Sequence, residues 1–137
     1  MNSTTADTTT ATTGPVSLKT ALLLDATVTG ANGLAYLAGA TVLDSLLGPS
    51  PTHFVAIGAF LAVCAAILAV TGTRRPIPRG WAMFAAEVNV VWAIGSVAVV
   101  ALDWFDLTTT GQVWTILQAG IVAAFAALQL MALRRTA

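Results

Sequence analysis

After a polar start, this chain is a succession of four long apolar runs separated by three short polar breaks. The runs predict helices over about 17–47, 52–71, 81–103 and 112–133, each near or above the roughly 20 residues needed to cross a bilayer's hydrocarbon. The breaks carry the residues that stop helices. Gly48-Pro49-Ser50-Pro51 ends the first run, because proline lacks the amide hydrogen that a helix continues on. Thr73-Arg74-Arg75-Pro76-Ile77-Pro78-Arg79-Gly80 divides the second run from the third. Asp103-Trp104-Phe105-Asp106, with a polar turn over Leu107–Gly111, divides the third from the fourth. Ser17 and Thr20 are both placed to cap the first helix. The pattern gives an all-α fold: an integral membrane four-helix transmembrane bundle of antiparallel neighbours over residues 17–137. Residues 1–16, MNSTTADTTTATTGPV, hold too little apolar surface to pack and are expected to form a disordered cytoplasmic tail.

Polar positions inside the runs are few and patterned. Asp25, Thr29, Asn32 and Tyr36 fall at i, i+4, i+7 and i+11, which puts them on one stripe of the first helix. Ala26, Gly30 and Gly33 lie beside that stripe, small enough for a neighbouring helix to approach closely. Gly58, Ala62 and Ala66 in the second helix, and Ala119, Ala123 and Ala127 in the fourth, suggest further small-residue seams. Gln118 and Gln129 are the polar members of the fourth helix. A shift of 62 residues sets Asp25 over Glu87, Gly33 over Gly95 and Gly58 over Gly120, the pattern expected of two related helical hairpins.

Composition agrees with a bilayer as solvent. The chain is 57% hydrophobic and 9% charged, with mean hydropathy +0.84, against about 25% charged residues in soluble domains. Formal net charge is zero, so no overall field recruits nucleic acid. Placement of charge is more informative. Lys19, Arg74, Arg75, Arg79, Arg134 and Arg135 all fall on one side of a four-span bundle, which the positive-inside rule makes cytoplasmic, with both termini there. Trp81 marks that interface, and Trp104 and Trp114 mark the other. The excess of arginine over lysine and the abundance of alanine fit a GC-rich bacterial genome. The expected location is therefore the cytoplasmic (inner) membrane of a bacterium.

Glu87 is the leading candidate for chemistry. Val88–Leu102 is only 15 residues long, so the third span must extend back past Glu87 and carry a carboxyl into the membrane. Ionisable groups there are costly and usually face a bundle interior or a cavity. Two roles are open: a carboxyl that couples proton or cation movement, or a structural carboxyl hydrogen-bonded to a neighbour or reached by Arg79. Asp25 lies either at the interface or deeper, where Asp25, Glu87, Gln129 and Asn89 would form one polar layer. Glu87 and Asn89 are about 200° apart around the helix and cannot face the same neighbour. Asn32 falls near mid-membrane and reads, with Asn89, as interhelical glue. His53 is expected as a solvated cap of the second helix, and Cys64 as a packing residue with no cysteine to pair with. With no phosphate loop, no metal-ligand cluster and no nucleophile–base pair, neither an enzyme nor a cofactor or metal site is expected.

The segments LLLDATVTGANGLAYLAGA and TTTGQVWTILQAGIVAAFAALQL resemble small four-span integral membrane proteins of actinobacterial type. The resemblance implies the four-span fold and carries over no catalytic residues. Small multidrug-type transporters also have four short helices, but their essential glutamate is in helix one, where this chain has Asp25. Two functions remain: an interaction protein, as homo-oligomer or accessory subunit of a membrane complex, or a small proton- or cation-coupled transporter or channel using Glu87.

Overall fold

The computed structural model describes residues 16–135. Four helices account for most of them: α1 (Leu18–Leu47), α2 (Pro51–Thr73), α3 (Arg79–Leu102) and α4 (Thr109–Arg135). Each is long and apolar enough to cross a membrane. The tail expected over 1–16 lies, apart from Val16, outside the described residues.

Local chemistry sets the helix ends. The Ser17 hydroxyl accepts a bond from the Thr20 amide at 3.1 Å, which makes Ser17 the cap of α1 rather than Thr20. Gly48 ends α1 at φ 114°, a left-handed geometry that other residues resist. Pro51 then opens α2, where its missing amide hydrogen costs nothing. α4 begins earlier than the sequence suggests, because Thr108 caps it: its hydroxyl accepts from the Gly111 amide at 3.0 Å. The same residue ties α4 to the end of α1. Its amide donates to the Leu47 carbonyl at 3.0 Å and its hydroxyl to the Leu46 carbonyl at 2.6 Å. Carbonyls that α1 leaves unpaired are thereby satisfied by the start of α4.

The helices form an open arc rather than a closed ring. α1 packs most closely on α2, α3 packs on α4, α1 also meets α4, and α2 scarcely touches α3. The α1–α2 contact is tight because glycine faces glycine. A β-carbon on Gly58 would stand 2.9 Å from the Gly33 carbonyl oxygen, and one on Gly33 would stand 3.0 Å from the Gly58 oxygen. Close backbone approach of this kind gathers dispersion contacts that larger side chains would prevent. Leu18, Leu22, Leu68, Ala82, Ala132 and Leu133 form one core cluster, at the end carrying the basic residues. Tyr36, Ala40, Leu47, Phe54 and Leu61 form another towards the opposite end.

Two expected seams are corrected. In α4, Ala119 is buried but Ala123 and Ala127 are exposed. Gln118 and Gln129 turn inward to their partners, and Ala127 then falls about half a turn away from Gln118. In α2, Gly58 faces α1 but Ala66 is exposed.

Candidate functional site

Asp25 is completely enclosed, at 0% exposure, and so is Gln129. Three helices deliver donors to the Asp25 carboxyl. Thr29, one turn further along α1, donates to Oδ1 at 2.8 Å. Asn89 of α3 donates through Nδ2 to Oδ2 at 2.6 Å, and Gln129 of α4 donates through Nε2 to Oδ2 at 2.7 Å. Asn89 Nδ2 also approaches Gln129 Oε1 at 3.3 Å, closing a triangle. Every fully buried side-chain nitrogen and oxygen among the described residues has a hydrogen-bond partner. Such satisfaction matters in a membrane, where no water replaces a missing bond. This arrangement ties α1, α3 and α4 together at one depth.

A second polar tie lies about three turns of α1 away. The Tyr36 hydroxyl accepts from Trp114 Nε1 at 2.8 Å and from Gln118 Nε2, both on α4. Phe54 of α2 packs edge-on to the Tyr36 ring with centroids 5.3 Å apart. Tyr36 and Gln118 stand out in the sequence as polar residues, but their pairing across 82 positions leaves no signal there.

Between these ties, α2 and α3 separate and leave a cleft of about 160 Å³. Its floor comes from α1 and α4, including Asn32, Gln118 and Phe125. Phe60 of α2 stacks on Trp92 of α3 across the gap, centroids 5.6 Å apart and planes 12° from parallel. No charged side chain lines it. Asn32 is half-buried and makes no hydrogen bond among the described residues. The cleft went unseen in the sequence because its residues are ordinary apolar members of four separate runs.

Glu87 does not join the polar layer. Asn89 turns inward to Asp25, and the angle between the two positions sends Glu87 to the exposed side of α3. The expected layer therefore holds Asp25, Asn89 and Gln129, with Thr29 completing it, and excludes Glu87. Arg79 does not reach towards Glu87; its guanidinium donates to the Leu133 carbonyl at 2.9 Å, near the end of α4. Ser96, seven residues beyond Asn89 on α3, turns its hydroxyl to its own helix and donates to the Trp92 carbonyl, 2.7 Å away. His53 is exposed at the start of α2, with Nδ1 2.7 Å from the Ser50 hydroxyl and its ring 4.9 Å from that of Phe105.

No family model, curated protein or solved structure matches this chain.

Proposed function

We propose that this small multi-span membrane protein acts by helix–helix association, pairing with a second copy of itself through α3. The observation that carries this reading is an ionisable side chain on the exposed face of a membrane span. Of the residues in α3, just Ala82, Ala86 and Asn89 are buried. Met83, Glu87, Val90, Ile94, Val97 and Ala101 are all exposed. They follow one another at alternating steps of four and three, the spacing of a seam between two supercoiled helices. The exposed faces of α1, α2 and α4 include similar apolar stripes, but none carries an ionisable residue away from its ends.

Glu87 lies about 12 Å along α3 from Arg79. A carboxyl at that depth is costly against lipid tails, so it needs a polar partner. A second copy inserted the same way supplies one at the same depth. A two-fold axis along the membrane normal brings Glu87 opposite Glu87 of the partner subunit, so each side chain meets a polar group in place of lipid tails. One polar residue in an otherwise apolar seam also fixes register.

The orientation in this reading follows charge. Lys19, Arg74, Arg75, Arg79, Arg134 and Arg135 gather at one end of the bundle, which we assign to the cytoplasmic side of a bacterial inner membrane. The test is stoichiometry in liposomes, by single-molecule photobleaching at increasing protein-to-lipid ratio. Wild-type protein is expected to dimerise, and Glu87→Leu to raise the dissociation constant about tenfold, or about 1.4 kcal/mol. A wild-type protein that stays monomeric at every ratio would overturn the reading.

A further inference from the structure

The cleft between α2 and α3 combines three features that need an occupant of particular chemistry. The first is size and access. Its volume is about 160 Å³, close to the roughly 150 Å³ of an engineered apolar cavity that holds benzene. Because α2 and α3 scarcely touch, it opens sideways between two spans, and Phe60, Trp81 and Phe84 at its walls are about half exposed. A compound dissolved in the membrane can enter without crossing an aqueous phase.

The second feature is the wall. Phe60 and Trp92 are already stacked nearly parallel, and Trp81, Phe84, Trp114 and Phe125 complete an aromatic lining. Flat ring systems pack against such faces better than branched or flexible chains do. The lining has no charged residue, so a neutral occupant fits and an ion does not.

The third feature is Asn32. It projects from α1 on the same stripe as Asp25 and Tyr36, between the two polar ties. The other amides lining the cleft are engaged: Asn89 with Asp25 and Gln129, and Gln118 with Tyr36. Asn32 makes no hydrogen bond among the described residues, although it lies mid-span. An amide in hydrocarbon without a partner is unfavourable, and a lipid acyl tail cannot satisfy it.

We propose that this cleft is a binding site for a small neutral planar aromatic compound bearing one hydroxyl or carbonyl oxygen, which hydrogen-bonds to Asn32. The rings lie among Phe60, Trp92 and Phe84, and the oxygen meets the Asn32 amide on the floor. The amide holds both a donor and an acceptor, so it accommodates a hydroxyl or a carbonyl. Recognition of one polar atom within an apolar slot is the usual composition of small-molecule sites. This site is separate from the α3 seam, because Asn89 and Glu87 lie on different sides of that helix.

The probe pair is 6-fluoro-2-naphthol and 2-fluoronaphthalene, which differ by one hydroxyl group. Binding to the full chain in detergent micelles is followed by the fluorine resonance, with protein-free micelles as the partition control. Wild-type protein is expected to give a saturable shift with the naphthol and to bind it about tenfold more tightly than the hydrocarbon, the effect of one hydrogen bond. Asn32→Leu, which keeps the branched side-chain skeleton without its polar atoms, is expected to abolish that preference. Cys64→Phe keeps Asn32 but fills the chamber, and is expected to remove saturable binding of both probes. It also serves as the second variant if Asn32→Leu fails to fold. Equal binding of the two probes to wild type would overturn the proposal and make the cleft a place for lipid tails. Saturable naphthol binding that survives Cys64→Phe, or no saturable binding by wild type, would overturn it as well.

Discussion

Asp25 and Glu87, carboxyls set inside the spans 62 positions apart, are treated by the fold in opposite ways. Asp25 is enclosed by α1, α3 and α4 and receives three hydrogen bonds. Glu87 faces outward and receives none among the described residues. The same contrast divides the two hairpins. Gly33 and Gly58 bring α1 and α2 into backbone contact, whereas nothing lies within 4 Å of a β-carbon placed on Gly95 or Gly120. The first hairpin is thus closed on itself, and α3 presents a largely open surface. One acid is bonded inside the bundle, and the other lies on its outer face.

Substitutions should separate these roles by size. The largest effect is expected for Asp25→Leu, which strands the buried Asn89 and Gln129 amides. A loss of about 3 kcal/mol in the unfolding free energy of the detergent-solubilised monomer is expected, since each stranded group costs about 1–3 kcal/mol. Glu87→Leu in the same assay should change stability by less than about 0.5 kcal/mol, as befits an exposed position. Equal losses for the two variants would erase the contrast.

The hairpin comparison gives the next effect. Gly58→Ala must push Gly33 and Leu37 of α1 away from α2 and should cost about 2 kcal/mol, within the usual range for overpacking. Gly120→Ala meets open space and should stabilise α4 by about 0.5 kcal/mol through helix propensity. Thermal unfolding of the two variants side by side checks this pair. A small effect is also expected for Thr29→Val, which removes one of the three bonds to Asp25. It should cost about 0.6 kcal/mol, the average measured for interhelical hydrogen bonds in a membrane bundle, and double substitution with Asp25→Leu should add little further.

Much of this arrangement is legible from residue order. Apolar run length and Gly–Pro breaks locate the four helices, because crossing length and helix stops are local properties. The stripe of Asp25, Thr29, Asn32 and Tyr36 follows from helical spacing, and these residues do face inward or into the cleft. Spacing also separates Glu87 from Asn89. It cannot say which of them turns inward, because periodicity fixes angles within one helix and not its rotation against neighbours. The carboxyl of Asp25, on another helix, sets that rotation by drawing in Asn89 and Gln129. The α4 alanine seam was misplaced for the same reason: amide partners outrank small-residue packing in orienting that helix. The cleft depends on where α2 and α3 part, which no single run encodes.

The most direct test of the division between the two acids is cysteine cross-linking in membranes, on a Cys64→Ala background. Single cysteines at Val90, Ile94 and Val97 would be compared with cysteines at Ala85 and Val88 on the cleft side of α3. Disulfide-linked dimers are expected at the first three and not at the last two, and they should diminish when Glu87→Leu is added. Cross-linking that is absent along α3, or stronger on its cleft side, would contradict an outward Glu87 that joins two copies of this chain.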